Sequence, residues 1–215
     1  MLTIKANDKT LDEIKDFVKS EDSPFDFNKI IPMPKELLDV SSPVKIVSEE
    51  KYKEEKEARD KAIERRKSDT FNCGDSFIPG LPLTEQLQKE YLAKYGSDNW
   101  YDFAINNWGT KWNAYDIGEW ENNTIKFYTA WTSPFEALIE LSKKFPEAEF
   151  ELKYADEGAY FVGIASIKNG VVTEIENPKN KTKKFNELYL EFTGIDLDRD
   201  VENEEELKQM KEVIE

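Results

Sequence analysis

Glu149-Phe150-Glu151-Leu152-Lys153-Tyr154 sets an apolar or aromatic residue at every second position. That is the spacing by which a strand sends one side to a core and the other to water. Farther on, Gly158 to Lys168 runs into Asn169-Gly170, and Val171 to Glu176 follows. Asn-Gly between two β-prone runs is the strongest short-range hairpin signal, because both residues accept positive φ. Residues 149–176 are therefore expected to form three consecutive strands of an antiparallel sheet.

Upstream, Ser133-Pro134-Phe135-Glu136 has the form of a capping box with proline at the first helical position. The expected helix carries Leu138, Ile139, Leu141 and Phe145 and stops before Pro146. Before it, Ala114 to Trp120 and Ile125 to Trp131 flank Asn122-Asn123, which reads as a second hairpin. At the N-terminus Leu2-Thr3-Ile4 is a short strand, and Thr10 with Glu13 reads as a capping box for a helix bearing Leu11, Ile14, Phe17 and Val18. Two helices are expected between these halves, one capped by Thr84 and closed by Gly96, the next opened by Ser97 and closed by Gly109. The order is βαββαβ with a hairpin extension. It predicts an α+β chain of the ferredoxin-like, split βαβ plan, an antiparallel sheet with helices on one face.

Three segments stand apart from that plan. Phe25 to Pro34 holds Pro32 and Pro34 and is expected to be extended and packed. Residues 49–69 carry as many acids as bases, with Glu49/Lys53, Glu55/Arg59 and Glu57/Lys61 at i,i+4 spacing, which predicts a solvated helix. Phe185, Leu188, Tyr189 and Phe192 then share a helical face up to Gly194, and the tail from Asp198 to Glu215 carries a net charge of -5. The ferredoxin-like unit is expected over residues 1–177 with a helical insertion at about 41–82, and an acidic helical extension over 178–215.

Composition limits the chemistry. The 215 residues include no His, so a Ser-His-Asp triad, a Cys-His pair and an imidazole metal site are excluded. Cys73 is the only cysteine, which excludes an internal disulfide and a thiolate metal or iron–sulfur cluster. Phosphate-loop and dinucleotide-binding glycine patterns are missing. Asp196, Asp198 and Asp200 match the first ligands of a calcium loop, but Val201 stands where that loop needs Gly and Leu207 where it needs Glu. No catalytic residue, metal ligand or cofactor is expected. With no signal sequence and no apolar run long enough for a membrane span, a cytoplasmic protein is expected.

The most unusual stretch is aromatic. Residues 99–116 hold three of the five tryptophans, Trp100, Trp108 and Trp112. Such a cluster serves either as a core corner or as an exposed platform for a base or a peptide. Asn99-Trp100-Tyr101-Asp102, followed by Asn107-Trp108-Gly109-Thr110-Lys111-Trp112-Asn113-Ala114-Tyr115-Asp116, resembles the signature of the YubB-type ferredoxin-like family of bacteriophage and plasmid proteins. Phe27 to Pro34, Thr129 to Pro134 and Glu157 to Gly163 are similar to other segments of that family. The resemblance implies a ferredoxin-like fold and a mobile-element origin, and brings no catalytic residues.

The net charge of -15 repels phosphate backbones; it reads either as a solubility feature or as attraction to basic surfaces. The functional expectation is a non-catalytic accessory protein. It would inhibit a host nucleic-acid-targeting defence protein, of anti-CRISPR or anti-restriction type, by binding its basic surface. Direct nucleic-acid binding is not expected. The alternatives are an RNA or single-stranded DNA binder using an aromatic sheet, and a small-ligand sponge or carboxylate-metal enzyme. The candidate binding residues are Trp108, Lys111, Trp112, Tyr115, Asp116 and Trp131, with Glu204, Glu205 and Glu206 in the tail.

Overall fold

The computed structural model describes residues 1–68 and 78–197. Cys73, the tail from residue 198 and its candidates Glu204, Glu205 and Glu206 lie outside the described residues.

β1 (Leu2–Lys5) leads into α1 (Asp8–Val18). Asn7, not Thr10, caps α1, and its side chain accepts the Thr10 N–H. Thr10 instead lies inside the helix and is buried. The segment expected to be extended contains two short helices, α2 (Phe27–Ile30) and α3 (Lys35–Leu38). Asp26 caps α2 through the Asn28 N–H. Pro32 and Pro34 fall between the two helices, where neither removes a helical hydrogen bond.

The charged α4 (Glu49–Ser68) spans about 30 Å at the usual rise per residue. Arg59 fastens it to the body, with its guanidinium on the Asp39 carboxylate and on the Pro79 carbonyl. The chain on either side of the insertion runs parallel, Val40 bridging Leu81 and Ile46 bridging Leu83. Val40 and Leu83 of this ribbon are buried, as is Leu37.

α5 (Glu85–Tyr95) and α6 (Trp100–Trp108) follow, each closed by a left-handed glycine, Gly96 and Gly109. Thr84 caps α5 as expected, but α6 is opened by Asn99 rather than Ser97, its side chain accepting the Asp102 N–H. Asn99 also donates to both Asp98 and Asp102, so these two carboxylates are tied to the helix start.

The long hairpin expected over residues 114–131 is largely irregular. Its regular strand, β2, is only Thr124–Ile125. The turn itself forms, with Glu121 and Thr124 exchanging backbone hydrogen bonds around Asn122 (φ 56°). Pairing then goes from Lys126–Gly118 to Tyr128–Tyr115, so three residues on one side answer two on the other. The extra residue is absorbed at Asp116, whose φ is 47°, which makes a β-bulge. On the opposite strand a turn at Trp131 ends the pairing.

α7 (Phe135–Lys144) has Pro134 at its N-cap position with no side-chain cap, so the predicted capping box does not form. β3 (Glu149–Ala155), β4 (Val162–Lys168) and β5 (Val171–Glu176) complete the sheet. β4 starts later than expected because Asp156 folds residues 156–161 into a turn, accepting the Gly158 N–H. Asn169 and Gly170 both take positive φ, as the β4–β5 hairpin requires.

The antiparallel sheet has the order β2-β1-β3-β4-β5. Thus β2–α7–β3 is a split unit with β1 between its strands, the ferredoxin-like α+β arrangement, with the β4–β5 hairpin extending one edge. Register places Leu2 beside Ile125 and Leu152, and Ile4 beside Phe150, which faces Ile167 on β4. These residues are buried on one side with Ile14 and Val18 of α1 and Leu138 and Leu141 of α7.

The other side of the sheet is divided. α8 (Lys183–Thr193), the described part of the C-terminal extension, packs Phe185, Leu188 and Tyr189 against Val162. Lys153 reaches from β3 to Glu191 at 3.0 Å. Beyond α8 this face is mostly polar, with Val171 exposed on β5. Lys5 bonds Glu149 and Glu151, whose carboxylates push its pKa upward, and Thr3 pairs with Thr124.

Candidate binding surface

α6 ends in Trp108-Gly109, and Gly109 turns the chain so that Lys111 and Trp112 leave the core while Trp108 stays in it. Trp108 is 4% exposed, packs against Phe27 and Phe103, and donates its indole N–H to the Ile31 carbonyl at 2.9 Å. Its expected place on a binding surface is therefore corrected, because its face and its polar edge are both consumed inside the protein.

Trp112, Tyr115 and Trp131 do reach the surface, at 50%, 44% and 67% exposure. Lys111 joins the two tryptophans, its ammonium 4.7 Å from the Trp112 ring centre and 4.3 Å from that of Trp131. Both distances suit a cation–π contact. Trp112 meets Tyr115 edge-on at 6.3 Å, and Tyr115 stacks on Tyr128 at 6.1 Å. Side-chain contacts thus run unbroken through Tyr128, Tyr115, Trp112, Lys111 and Trp131. Tyr128, 59% exposed, was not among the expected site residues. Asp116 is exposed beside Tyr115 and forms the bulge that ends this part of the hairpin.

The strip is held from beneath. Thr110 is fully buried and donates to the Ala130 carbonyl at 2.9 Å. Thr132 donates its hydroxyl to the Gly109 carbonyl, and its N–H returns to Ala130, closing a three-residue turn around Trp131. Trp131 has φ 69°. A bulky residue in this left-handed region costs about 1 kcal/mol or more, and such strain persists only where the surroundings impose it. Here the imposed turn carries an indole that is largely exposed. Below the hairpin, Asn113 accepts the Phe27 N–H and donates to Asp26, while Phe127 stacks on Phe25 at 5.0 Å. The strip is therefore a fixed surface rather than a set of free side chains.

Among the described residues, no group of three or more His, Cys, Asp or Glu side chains is placed to hold a metal ion. No described helix is long and apolar enough to cross a membrane.

Residues 107–211 match the family model for the ferredoxin-like domain in Api92-like protein. The matched region begins at the end of α6 and takes in the whole strip, all of the sheet except β1, and α8. The match supports a ferredoxin-like family, in keeping with the order of the elements. No curated protein and no solved structure matches the chain.

Proposed function

We propose that this protein is a non-catalytic binding factor that docks on another protein through the strip formed by Tyr128, Tyr115, Trp112, Lys111 and Trp131. The observation that carries the reading is the continuous run of four exposed aromatic rings on a backbone whose strain points one of them outward. Rigid Trp and Tyr side chains supply large contact area at little entropic cost and dominate binding energy at protein interfaces.

The finer reading is a phage or plasmid accessory protein that inhibits a nucleic-acid-targeting defence protein by covering its basic surface. The net charge of -15 supports a basic partner through electrostatic steering. The polar sheet face favours this reading over base recognition on the sheet. Among its described strand residues, the part not covered by α8 presents Thr3, Lys5, Glu149 and Glu151 rather than aromatic rings.

Capture from host lysate, followed by identification of the retained proteins, tests the reading. A nucleic-acid-processing protein whose retention weakens with added salt is the expected outcome. Salt-insensitive retention with no such protein would overturn the finer reading. Retention unchanged by loss of the strip would overturn the broader one.

A further inference from the structure

We propose that an open cleft beside the strip receives one cationic side chain of the partner, an arginine by preference; this rests on the reading of the protein as a binder of basic surfaces. The cleft measures about 420 Å³ and begins at Gly109, two residues before the strip's Lys111, and Thr132, next to its Trp131.

Three aromatic side chains form part of its wall. Phe135 meets Tyr154 edge-on at 5.7 Å, and Tyr154 meets Phe161 at 6.1 Å with an interplanar angle of 51°. Burial pushes the Tyr154 hydroxyl above its ordinary pKa, so it stays neutral. Among the lining residues Glu136 alone carries a charge, and it is exposed. A flat guanidinium stacks on aromatic faces and pairs with a carboxylate through its fork of N–H donors, so this combination of rings and one acid suits arginine.

Gly109 gives the approach. A Cβ at this position would collide with the Glu136 carboxylate and would lie 3.1 Å from the Ser133 carbonyl oxygen. Its absence lets the Glu136 carboxylate lie against the Gly109 backbone at the edge of the cleft. Asn177, exposed in the lining, adds a side-chain amide. A basic segment lying along the strip therefore finds an acidic, ring-walled recess at the end occupied by Trp131.

The test is an NMR titration of the full chain with Nα-acetyl-arginine amide, with Nα-acetyl-norleucine amide as the uncharged control. Saturable shifts at Gly109, Phe161 and Asn177 are expected, with an apparent Kd of about 1–10 mM, as befits a single side chain. Glu136→Gln should weaken binding at least threefold by roughly the value of one exposed charge pair, and Glu136→Asp should weaken it less. Equal binding of the norleucine amide, shifts that do not saturate, or an unchanged Glu136→Gln titration would overturn the proposal. Glu136→Gln leaves the strip intact and Trp131→Gly leaves the carboxylate intact, so failures of the cleft and of the strip are read separately.

Discussion

Tyr115 and Tyr128 exchange both backbone hydrogen bonds, at 3.1 and 2.9 Å, and stack their rings 6.1 Å apart, yet both side chains remain largely in solvent. A cross-strand pair of this kind contributes roughly 0.2–1 kcal/mol to stability. Tyr128→Ala should therefore shift urea unfolding only slightly. If the pair belongs to an interface centre, the same substitution should weaken partner binding about tenfold or more. Unfolding curves and a binding titration on the same sample separate the two effects.

Trp131→Gly should behave in the opposite sense for stability. Glycine enters the left-handed region at no steric cost, so the variant loses the strain at φ 69° along with the Lys111 contact. These terms are of similar size, about 1 kcal/mol each, so the expected change lies between neutral and mildly stabilising. Thermal unfolding checks it. A loss of several degrees would mean that Trp131 supports the fold.

Trp108→Ala should cost about 3–5 kcal/mol, the usual range for emptying a buried aromatic site. Trp108→Phe should cost less, chiefly the unpaired Ile31 carbonyl and a small cavity. The contrast between Trp108 and Trp131 in urea unfolding distinguishes the core tryptophan from the surface one.

That contrast marks how far the sequence could be read. Alternation in Glu149 to Tyr154 and the Asn169-Gly170 turn located β3, β4 and β5, because local spacing and turn chemistry act within a few residues. The helix starts were less legible. Asn7 and Asn99 won over Thr10 and Ser97, since any small polar residue nearby can accept the same N–H. The strip was half legible. Residue type singled out Trp112, Tyr115 and Trp131, but simple alternation placed Trp131 on the same side as Ile125 and Phe127. In the structure Ile125 is buried and Phe127 packs on the core, but Ala130 is buried as well, and the turn at Trp131 reverses the phase. That turn is held from across the loop by the Thr110 hydroxyl and the Gly109 carbonyl, a tertiary cause with no local signature. Tyr128 was legible from the same alternation, which sets it opposite Ile125 and Phe127 on the solvent side.

Thr110→Val tests the tertiary support. The hydroxyl is fully buried, and valine keeps the volume while losing its bond to Ala130. A destabilisation of about 1 kcal/mol is expected, together with weaker partner binding as the Trp131 turn loosens. Hydrogen exchange at residues 130–132 should rise in this variant and stay unchanged in Tyr128→Ala.

Stability should also fall as pH drops from 8 to 6. In the 215-residue chain the Met1 amine donates to the Lys153 carbonyl at 2.8 Å, and burial, helped by the nearby Lys126 charge, lowers its pKa from 8.0 to about 6. Between these values the unfolded chain binds more protons than the folded one, so acidification favours unfolding. The expected loss is up to roughly 2 kcal/mol. No histidine titrates across this window. Urea midpoints at pH 8, 7 and 6 check the slope, and acetylation of the amine should flatten it.

The most direct test of the strip as a partner surface is lysate capture by the wild-type chain and by Trp131→Gly, side by side, at low and high salt. The account predicts a partner with a basic surface that the wild-type chain retains at low salt and a folded Trp131→Gly chain does not. Equal retention of the same proteins by both chains would contradict it.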